Sequence, residues 1–232
     1  MVFVHGAILS RAMWRPQVER LRDRYRCISV DLPGHGALAG QPFRLDAAVA
    51  AVASAIDLDA DGHALVVGLS LGGYTAIALA ARHPERVRGV VVAGASLEPT
   101  GIARLGFAAY GWLLTLAPER LGRWIVARVL LRKSDRADAA RIAAGLEIRR
   151  GGVAVRSLGG TSFRTLLRRY VGPVLFINGE RDVVMRSGER GFVRGVSGVR
   201  RLRLRRAGHI SNLDRPDDFA DAVAAFEATL PA

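Results

Sequence analysis

GHALVVGLSLGGYTAIALAARHP, residues 62–84, changes its periodicity at a single serine. The apolar run at 64–68 is typical of a short buried strand, and residues 71–82 repeat Ala and Leu at helical spacing before a proline ends the pattern. Ser70 stands at the junction, inside a Gly-x-Ser-x-Gly motif. A motif this short also arises by chance in a chain with 26 glycines. The prediction of a functional serine therefore depends on the position of Ser70 between a predicted strand and a predicted helix.

The flanking glycines fit a sharp strand-to-helix turn at Ser70. Such a turn strains the serine backbone, and side chains two residues before and after it would collide, so Gly68 and Gly72 leave room. The turn exposes the hydroxyl at a helix N-terminus, where backbone N–H groups favour the negative charge that develops during acyl transfer. We therefore predict that Ser70 is a nucleophile.

A serine hydroxyl needs a base to take its proton and a third group to orient that base. Among five histidines, His209 is the predicted base, because it lies on a loop after a strand-like alternation and before a helix that starts near Pro216. The alternative is a solvated loop histidine without a catalytic role. The other four histidines have structural interpretations, because they lie in loops or at the end of a predicted strand or helix.

The acid candidate follows the apolar run at 174–177, which turn residues bound on both sides. Asp182 lies just past the end of this predicted strand. Ser70, Asp182 and His209 then all follow predicted strands, and functional groups of parallel sheets collect at the carboxyl ends of strands. Glu180 is a rival for the acid, and Asp182 has the alternative role of capping a turn.

Several motifs together resemble the α/β-hydrolase family, of the cofactor-free serine type with a helical cap. They are VFVHGA at 2–7, Trp14, SVDLPGHG at 29–36, GLSLGG at 68–73, NGERD at 178–182 and AGHISNLDRP at 207–216. The resemblance, which extends over nearly the whole chain, implies Ser70 as nucleophile, His209 as general base and then acid, and Asp182 as the orienting carboxylate. It also implies an oxyanion hole from the backbone N–H groups of Ala7 and Leu71, and chemistry without a metal or cofactor.

The resemblance also sets limits. Haloalkane dehalogenases and epoxide hydrolases carry an aspartate where this chain has Ser70, so those two activities are not expected. Members of the family usually have one or two strands before the strand that ends in His-Gly, whereas this sequence begins on that strand. We expect either a minimal version of the fold or a clipped start.

Alternating strand and helix patterns predict an α/β protein with a mostly parallel, doubly wound sheet, because near-continuous apolar strands such as 87–95 need helices on both faces. We predict a hydrolase core from 1–98 and 171–232, with a helical cap at 99–170 inserted in it. Cys27, the single cysteine, cannot form an internal disulfide. Neither a leader nor a spanning segment is apparent, so a cytoplasmic protein is expected.

Positive charge is concentrated in the predicted cap. Residues 100–170 hold 14 basic and four acidic residues, which gives +10 of the net charge of +13. Three interpretations stay open: a solvated arginine-rich surface, a cap whose field attracts acidic substrates or anionic thioesters, and a basic amphipathic lid in weak contact with anionic surfaces. No nucleic-acid partner is expected, because no binding motif accompanies the charge.

The cap also supplies candidates for a substrate pocket. We predict that Trp112, Trp124 and Met185 line it, which favours a small-molecule acyl substrate of moderate size and low polarity. The predicted function is hydrolysis of a carboxylic ester, lactone or thioester through an acyl-enzyme on Ser70. Alternatives are a carbon–carbon bond hydrolase, a cofactor-free perhydrolase, or a ligand receptor with negligible turnover. The sequence leaves the oligomeric state open.

Overall fold

Six parallel strands form one sheet in the order β2-β1-β3-β4-β5-β6. Their bounds are Val2–Val4 (β1), Ile28–Val30 (β2), Ala64–Leu69 (β3), Val87–Ala93 (β4), Val174–Gly179 (β5) and Val199–Leu204 (β6). The structure is a computed structural model and describes residues 1–231. The central strands β3 and β5 are buried along their whole length, which requires helices on both faces of the sheet.

Eleven α-helices lie among the residues that the structure describes. They are Arg15–Leu21 (α1), Leu45–Asp59 (α2), Leu71–Arg82 (α3), Ala103–Leu116 (α4), Glu119–Leu130 (α5), Arg136–Ala144 (α6), Ile148–Ser157 (α7), Phe163–Leu167 (α8), Val183–Phe192 (α9), Ser211–Asp214 (α10) and Pro216–Glu227 (α11). Successive strand residues point to opposite faces of the sheet, so Val2 and Val4 join one apolar cluster and Phe3 joins the other. The predicted α/β class and doubly wound parallel sheet are confirmed.

The two apolar clusters fix the helices on either side of the sheet. On one face, Trp14 lies between Phe3 and Phe219, with ring centroids 5.3 Å and 5.8 Å away. On the other face, Tyr74 of α3 packs on Phe163 of α8, with ring centroids 4.7 Å apart. Helices α1 and α11 therefore cover one side of the sheet, while α3 and α8 cover the other.

Five helices, α4 to α8, stand between β4 and β5, where the sequence predicts a cap. The last of them, α8, packs against α3 as a helix of the core. We refer to α4 to α7 as the lid. The division into a core of 1–98 and 171–232 and a cap of 99–170 stays a prediction, and the packing of α8 favours an earlier end for the lid.

Helix α7 is the inner layer of the lid. A side chain at Gly151 would collide with the carbonyl of Ala7, whereas a side chain at the next residue, Gly152, would come within 2.5 Å of the Gly111 carbonyl of α4. Helix α5 also lies against α7, because Gly122 contacts Ile148. Helix α7 is thus packed between the core and α4, and the far surfaces of α4 and α5 form the outside of the lid.

Candidate active site

Ser70 occupies a strained turn between β3 and α3. Its φ and ψ angles are 54° and −116°, a conformation that residues other than glycine rarely adopt. The Ser70 N–H donates to the carbonyl of Ala93 at 2.7 Å, and the Ser70 carbonyl accepts from the N–H of Tyr74 at 3.1 Å. The turn therefore fixes the Ser70 backbone and leaves its side chain partly exposed at the N-terminus of α3.

The glycines around Ser70 allow a close approach of backbones. A side chain at Gly68 would collide with the carbonyl of Gly72, and a side chain at Gly72 would collide with the carbonyl of Val4 and come within 2.8 Å of that of His5. Helix α3 can therefore begin directly against the end of β1. This is the clearance that the sequence pattern predicts.

Gly72→Ala is expected to destabilise the protein by about 3 kcal/mol, because its methyl group would meet backbone oxygen rather than a movable side chain. Urea unfolding measures the change. Gly191→Ala is the matched control, since Gly191 also lies in a helix but a Cβ there meets nothing within 4 Å. The control should be neutral or slightly stabilising. Equal stability of both variants would contradict the close packing at Gly72.

The sheet register brings the carboxyl ends of four strands to one edge. Leu69 pairs with Ala93, Ala93 pairs with Ile177, and Gly179 pairs with Leu204. Past these pairs, the N–H of Arg181 donates to the carbonyl of Ala207 at 2.8 Å, so the loops after β5 and β6 lie side by side. Asp182 and His209 are thereby held on neighbouring loops.

Asp182 and His209 form a hydrogen bond of 2.7 Å between Oδ2 of the carboxylate and Nδ1 of the imidazole. Asp182 is buried, and its Oδ1 accepts from the N–H of Met185 at 3.4 Å as the N-cap of α9. It therefore both caps a helix and contacts the imidazole. Glu180, the rival acid, is exposed and accepts from the N–H of Arg206 at 2.9 Å, a bond that lowers the pKa of its carboxyl.

Gly94 lies between the imidazole of His209 and the Ser70 turn, and it belongs to none of the motifs found in the sequence. It follows Ala93, which accepts from the Ser70 N–H, and a Cβ on Gly94 would come within 3.0 Å of Cε1 of His209. Its φ of 57° also favours glycine. The signal available in the sequence is a glycine inside the apolar run at 87–95, and in the structure β4 ends one residue before it, at Ala93. When Nδ1–H of His209 donates to Asp182, Nε2 keeps the lone pair that a general base needs.

The loop after β1 lies against the serine from the other side. A Cβ on Gly6 would stand 3.7 Å from Cβ of Ser70, so the next residue, Ala7, is close to the turn. Leu71 is the first residue of α3, where backbone N–H groups have no partner within the helix. The carbonyl of Ala7 faces Nε2 of His35 and packs against α7 at Gly151, which holds this loop in place.

A model of the alpha/beta hydrolase family matches residues 1–222. The chain belongs to this family. A pimeloyl-[acyl-carrier protein] methyl ester esterase from Nitrosomonas europaea is 32% identical over 98% of this chain and 94% of its own length. A 3-oxoadipate enol-lactonase 2 from Acinetobacter baylyi is 27% identical over 97% of this chain and 87% of its own length. The solved structure of an enol-lactonase from Burkholderia xenovorans superposes with a TM-score of 0.77 and 25% identity, over 98% of this chain and 90% of that chain.

The family match and these relatives confirm the resemblance and show that this α/β-hydrolase is an enzyme. The names of the relatives describe esterases and lactonases, which cleave an acyl group from oxygen.

Two buried histidines, His5 and His35, lie beneath the loop at Ala7, and neither has a role predicted from the sequence. In His5, Nε2 accepts from the N–H of Leu32 and Nδ1 donates to the carbonyl of Gly6, both at 2.9 Å. The ring of His35 lies 4.9 Å from it, between the carbonyls of Ala7 and Pro33. Burial lowers the pKa of His5 to about 3 and also lowers the pKa of His35. A neutral His5 imidazole and the His35 ring thus support the turn of the hydrolase next to Ser70.

The free energy of unfolding is expected to fall as the pH drops below 6.5. The unfolded chain protonates His5 near pH 6.5, whereas the folded chain does so only near pH 3, so between these values the unfolded state binds more protons. One such proton gives a slope of up to about 1.4 kcal/mol per pH unit. Urea unfolding of wild type and His5→Gln between pH 7.5 and 5.5 checks this, with a shallower slope expected in the variant. Identical slopes would contradict the prediction.

The three pocket candidates take different positions in the hydrolase. Met185 lies beside the catalytic candidates, because its N–H donates to Asp182. Trp112 and Trp124 are more than half exposed on the lid, where the guanidinium of Arg156 lies 3.9 Å from the Trp112 ring centroid. The structure thus brings Met185 together with Asp182 but not the two tryptophans. Their place in an acyl pocket stays a prediction.

Proposed function

We propose that this hydrolase cleaves a carboxylic ester through an acyl-enzyme on Ser70. The observation that carries the proposal is the 2.7 Å hydrogen bond between Asp182 and Nδ1 of His209, at the same sheet edge as the strained Ser70. This pairing fixes the tautomer whose Nε2 is basic. Along the chain the nucleophile comes first, the orienting acid second and the base third, which is the order of this family.

The first half-reaction forms the acyl-enzyme. Nε2 of His209 takes the proton of Ser70 Oγ as that oxygen attacks the ester carbonyl, and the buried carboxylate of Asp182 stabilises the imidazolium. The tetrahedral oxyanion accepts hydrogen bonds from the N–H groups of Ala7 and Leu71. His209 then gives the proton to the leaving alkoxide, and the alcohol departs.

The second half-reaction regenerates Ser70. Nε2 of His209 takes a proton from a water molecule, which attacks the acyl carbon, and the same oxyanion contacts are used again. Ser70 Oγ leaves with the proton from His209, and the carboxylic acid is released. The balance is one ester and one water consumed, with one acid and one alcohol formed.

We further propose that the ester is a small alkyl ester of an acyl chain. The esterase from Nitrosomonas europaea acts, by its name, on a methyl ester, and it is 32% identical to this chain over nearly the full length of both. A second candidate substrate is a lactone, which the two enol-lactonases favour. Lactone opening uses the same steps, except that the leaving oxygen stays attached to the product.

A substrate panel tests the proposed function. Nitrophenyl esters of increasing chain length, a methyl ester of a dicarboxylic acid and an enol-lactone are compared by kcat/KM, and released methanol is quantified. We expect turnover of the methyl ester with one methanol released for each acid formed. If kcat/KM is clearly higher for the lactone than for every ester, the substrate class is a lactone instead of an ester. No turnover of any ester or lactone in the panel would overturn the proposal.

A further inference from the structure

The outside of the lid carries an apolar stripe that faces solvent. Its members lie on the side of α4 turned away from α7 and recur at helical spacing, starting at the N-cap: Ile102, Leu105, Ala109, Leu113 and Leu116. The four large ones are 88%, 69%, 66% and 71% exposed, respectively. The opposite side of α4 is the buried one, where Phe107 packs on Tyr74 and Gly111 contacts α7. A stripe of this kind normally faces a core or a partner.

Helix α5 packs on α7 at Ile148, one turn from the Gly152 contact of α4, and its outer side carries arginines among apolar residues. Leu121, Trp124 and Ile125 are about half exposed, next to the exposed Arg120 and Arg128. The guanidinium of Arg128 lies 5.0 Å from the centroid of the Trp124 ring. We define the outer lid face as the stripe on α4 together with these five residues of α5.

The charge around the outer lid face is of one sign. Residues 99–134 contain six basic residues and a single acidic one, Glu119. Two of the six serve the inside of the lid, because Arg123 donates to the carbonyls of Ala143 and Leu146, and Lys133 pairs with Asp214. The carboxylate of Glu119 accepts from the N–H groups of Ile148 and Arg149 at the start of α7, so it also serves the inside of the lid. The outer lid face therefore combines exposed apolar side chains with an excess of positive charge.

We propose that the outer lid face binds the surface of an anionic lipid bilayer. The stripe on α4 enters the boundary between headgroups and acyl chains, while Arg120 and Arg128 contact lipid phosphates. Tryptophan is suited to this interfacial depth, and arginine can bury its stem while its guanidinium stays among the headgroups. None of the helices in residues 1–231 has the length and apolar character needed to cross a bilayer.

Two other occupants fit the outer lid face less well. A symmetric dimer through this surface would bring the arginines of α5 toward their own copies, with no acidic side chain opposite them. An acidic carrier protein would complement the arginines but leave the stripe on α4 without a function. An anionic bilayer matches the charge and the apolar side chains together.

Vesicle flotation tests the proposal, with phosphatidylcholine vesicles that contain or lack phosphatidylglycerol. Wild type is expected to bind only the anionic vesicles, and less at high salt. Leu105→Ser/Leu113→Ser/Leu116→Ser should weaken binding at least tenfold. Arg120→Glu/Arg128→Glu should weaken it by at least about 25-fold, because each arginine near an anionic surface contributes about fivefold and each new glutamate is repelled by that surface.

Matched variants away from the lid are the controls. Leu58→Ser/Val171→Ser removes two exposed apolar side chains, and Arg200→Glu/Arg203→Glu reverses two exposed arginines on β6. Both controls should bind like wild type. All four variants should hydrolyse a short soluble ester at the wild-type rate, which shows that each is folded.

Tryptophan emission gives a second readout of the contact. Trp14 is fully buried, whereas Trp112 and Trp124 are exposed on the lid. Anionic vesicles should shift the emission to the blue and brominated lipids should quench it, with much of the response lost in Trp124→Phe. An unchanged spectrum together with no flotation of wild type would overturn the proposal.

Three further results would also overturn it. One is equal loss of vesicle binding in the control and lid variants. Another is a dimer, detected by analytical ultracentrifugation, that the triple leucine variant dissociates, because a second copy would then occupy the outer lid face. The last is binding of an acyl-carrier protein that needs the arginines but not the leucines, without any binding of vesicles.

Discussion

Ser70→Ala is expected to lower kcat for ester hydrolysis by about 10⁵- to 10⁶-fold, because it removes the nucleophile while the other groups stay in place. The fold should be kept, since the Ser70 side chain makes no capping hydrogen bond to α3. A residual rate above that of water is expected from the oxyanion contacts and substrate binding. Steady-state kinetics measures the loss, and labelling with a fluorophosphonate probe should disappear with it.

The matched control for this variant is Ser54→Ala, because Ser54 is an exposed serine on α2. It should label and turn over like wild type. If wild type neither labels with the probe nor hydrolyses any ester, the acyl-enzyme proposal for Ser70 is wrong. Tight retention of an acyl ligand without turnover would then favour the receptor interpretation.

Asp182→Asn is expected to lower kcat by about 10⁴-fold. The asparagine amide would favour the wrong tautomer of His209, and it would lack the charge that stabilises the imidazolium. Asparagine caps a helix about as well as aspartate, so α9 should keep its N-terminus and the stability should change little. Kinetics and urea unfolding of the same sample separate the catalytic effect from a structural one.

Glu180→Gln is the matched control for Asp182→Asn. Glu180 lies two residues away, is exposed, and binds the backbone of Arg206 instead of an imidazole. Its substitution should change kcat less than threefold, a limit of about 0.6 kcal/mol. A larger loss in Glu180→Gln than in Asp182→Asn would mean that Glu180 orients the base.

Much of the sheet follows from local patterns in the sequence. The apolar runs at 64–68 and 174–177 are long enough to predict buried strands, and both are buried in β3 and β5. The glycines around Ser70 likewise predict a tight turn, because they report on steric room close in the chain. Features that depend on a few neighbouring residues can therefore be predicted without a structure.

Contacts between segments that lie far apart in the sequence are harder to predict. Periodicity indicates that α4 has an apolar side, but not that this side faces solvent, because the neighbours of α4 come from α7. In the same way, nothing adjacent to His5 predicts that it will meet Leu32 and the ring of His35 in the core. Gly94 also acquires its importance from His209, more than a hundred residues later.

The pair Gly151 and Gly152 limits how the lid can change in evolution. Two consecutive residues of α7 touch opposite layers, one the Ala7 carbonyl and the other the Gly111 carbonyl, so a larger side chain at either would push whole layers apart. Residues on the far sides of α4 and α5 meet no such obstacle. New outer surfaces on the lid can therefore arise through single substitutions, whereas Gly151 and Gly152 leave no room for a side chain.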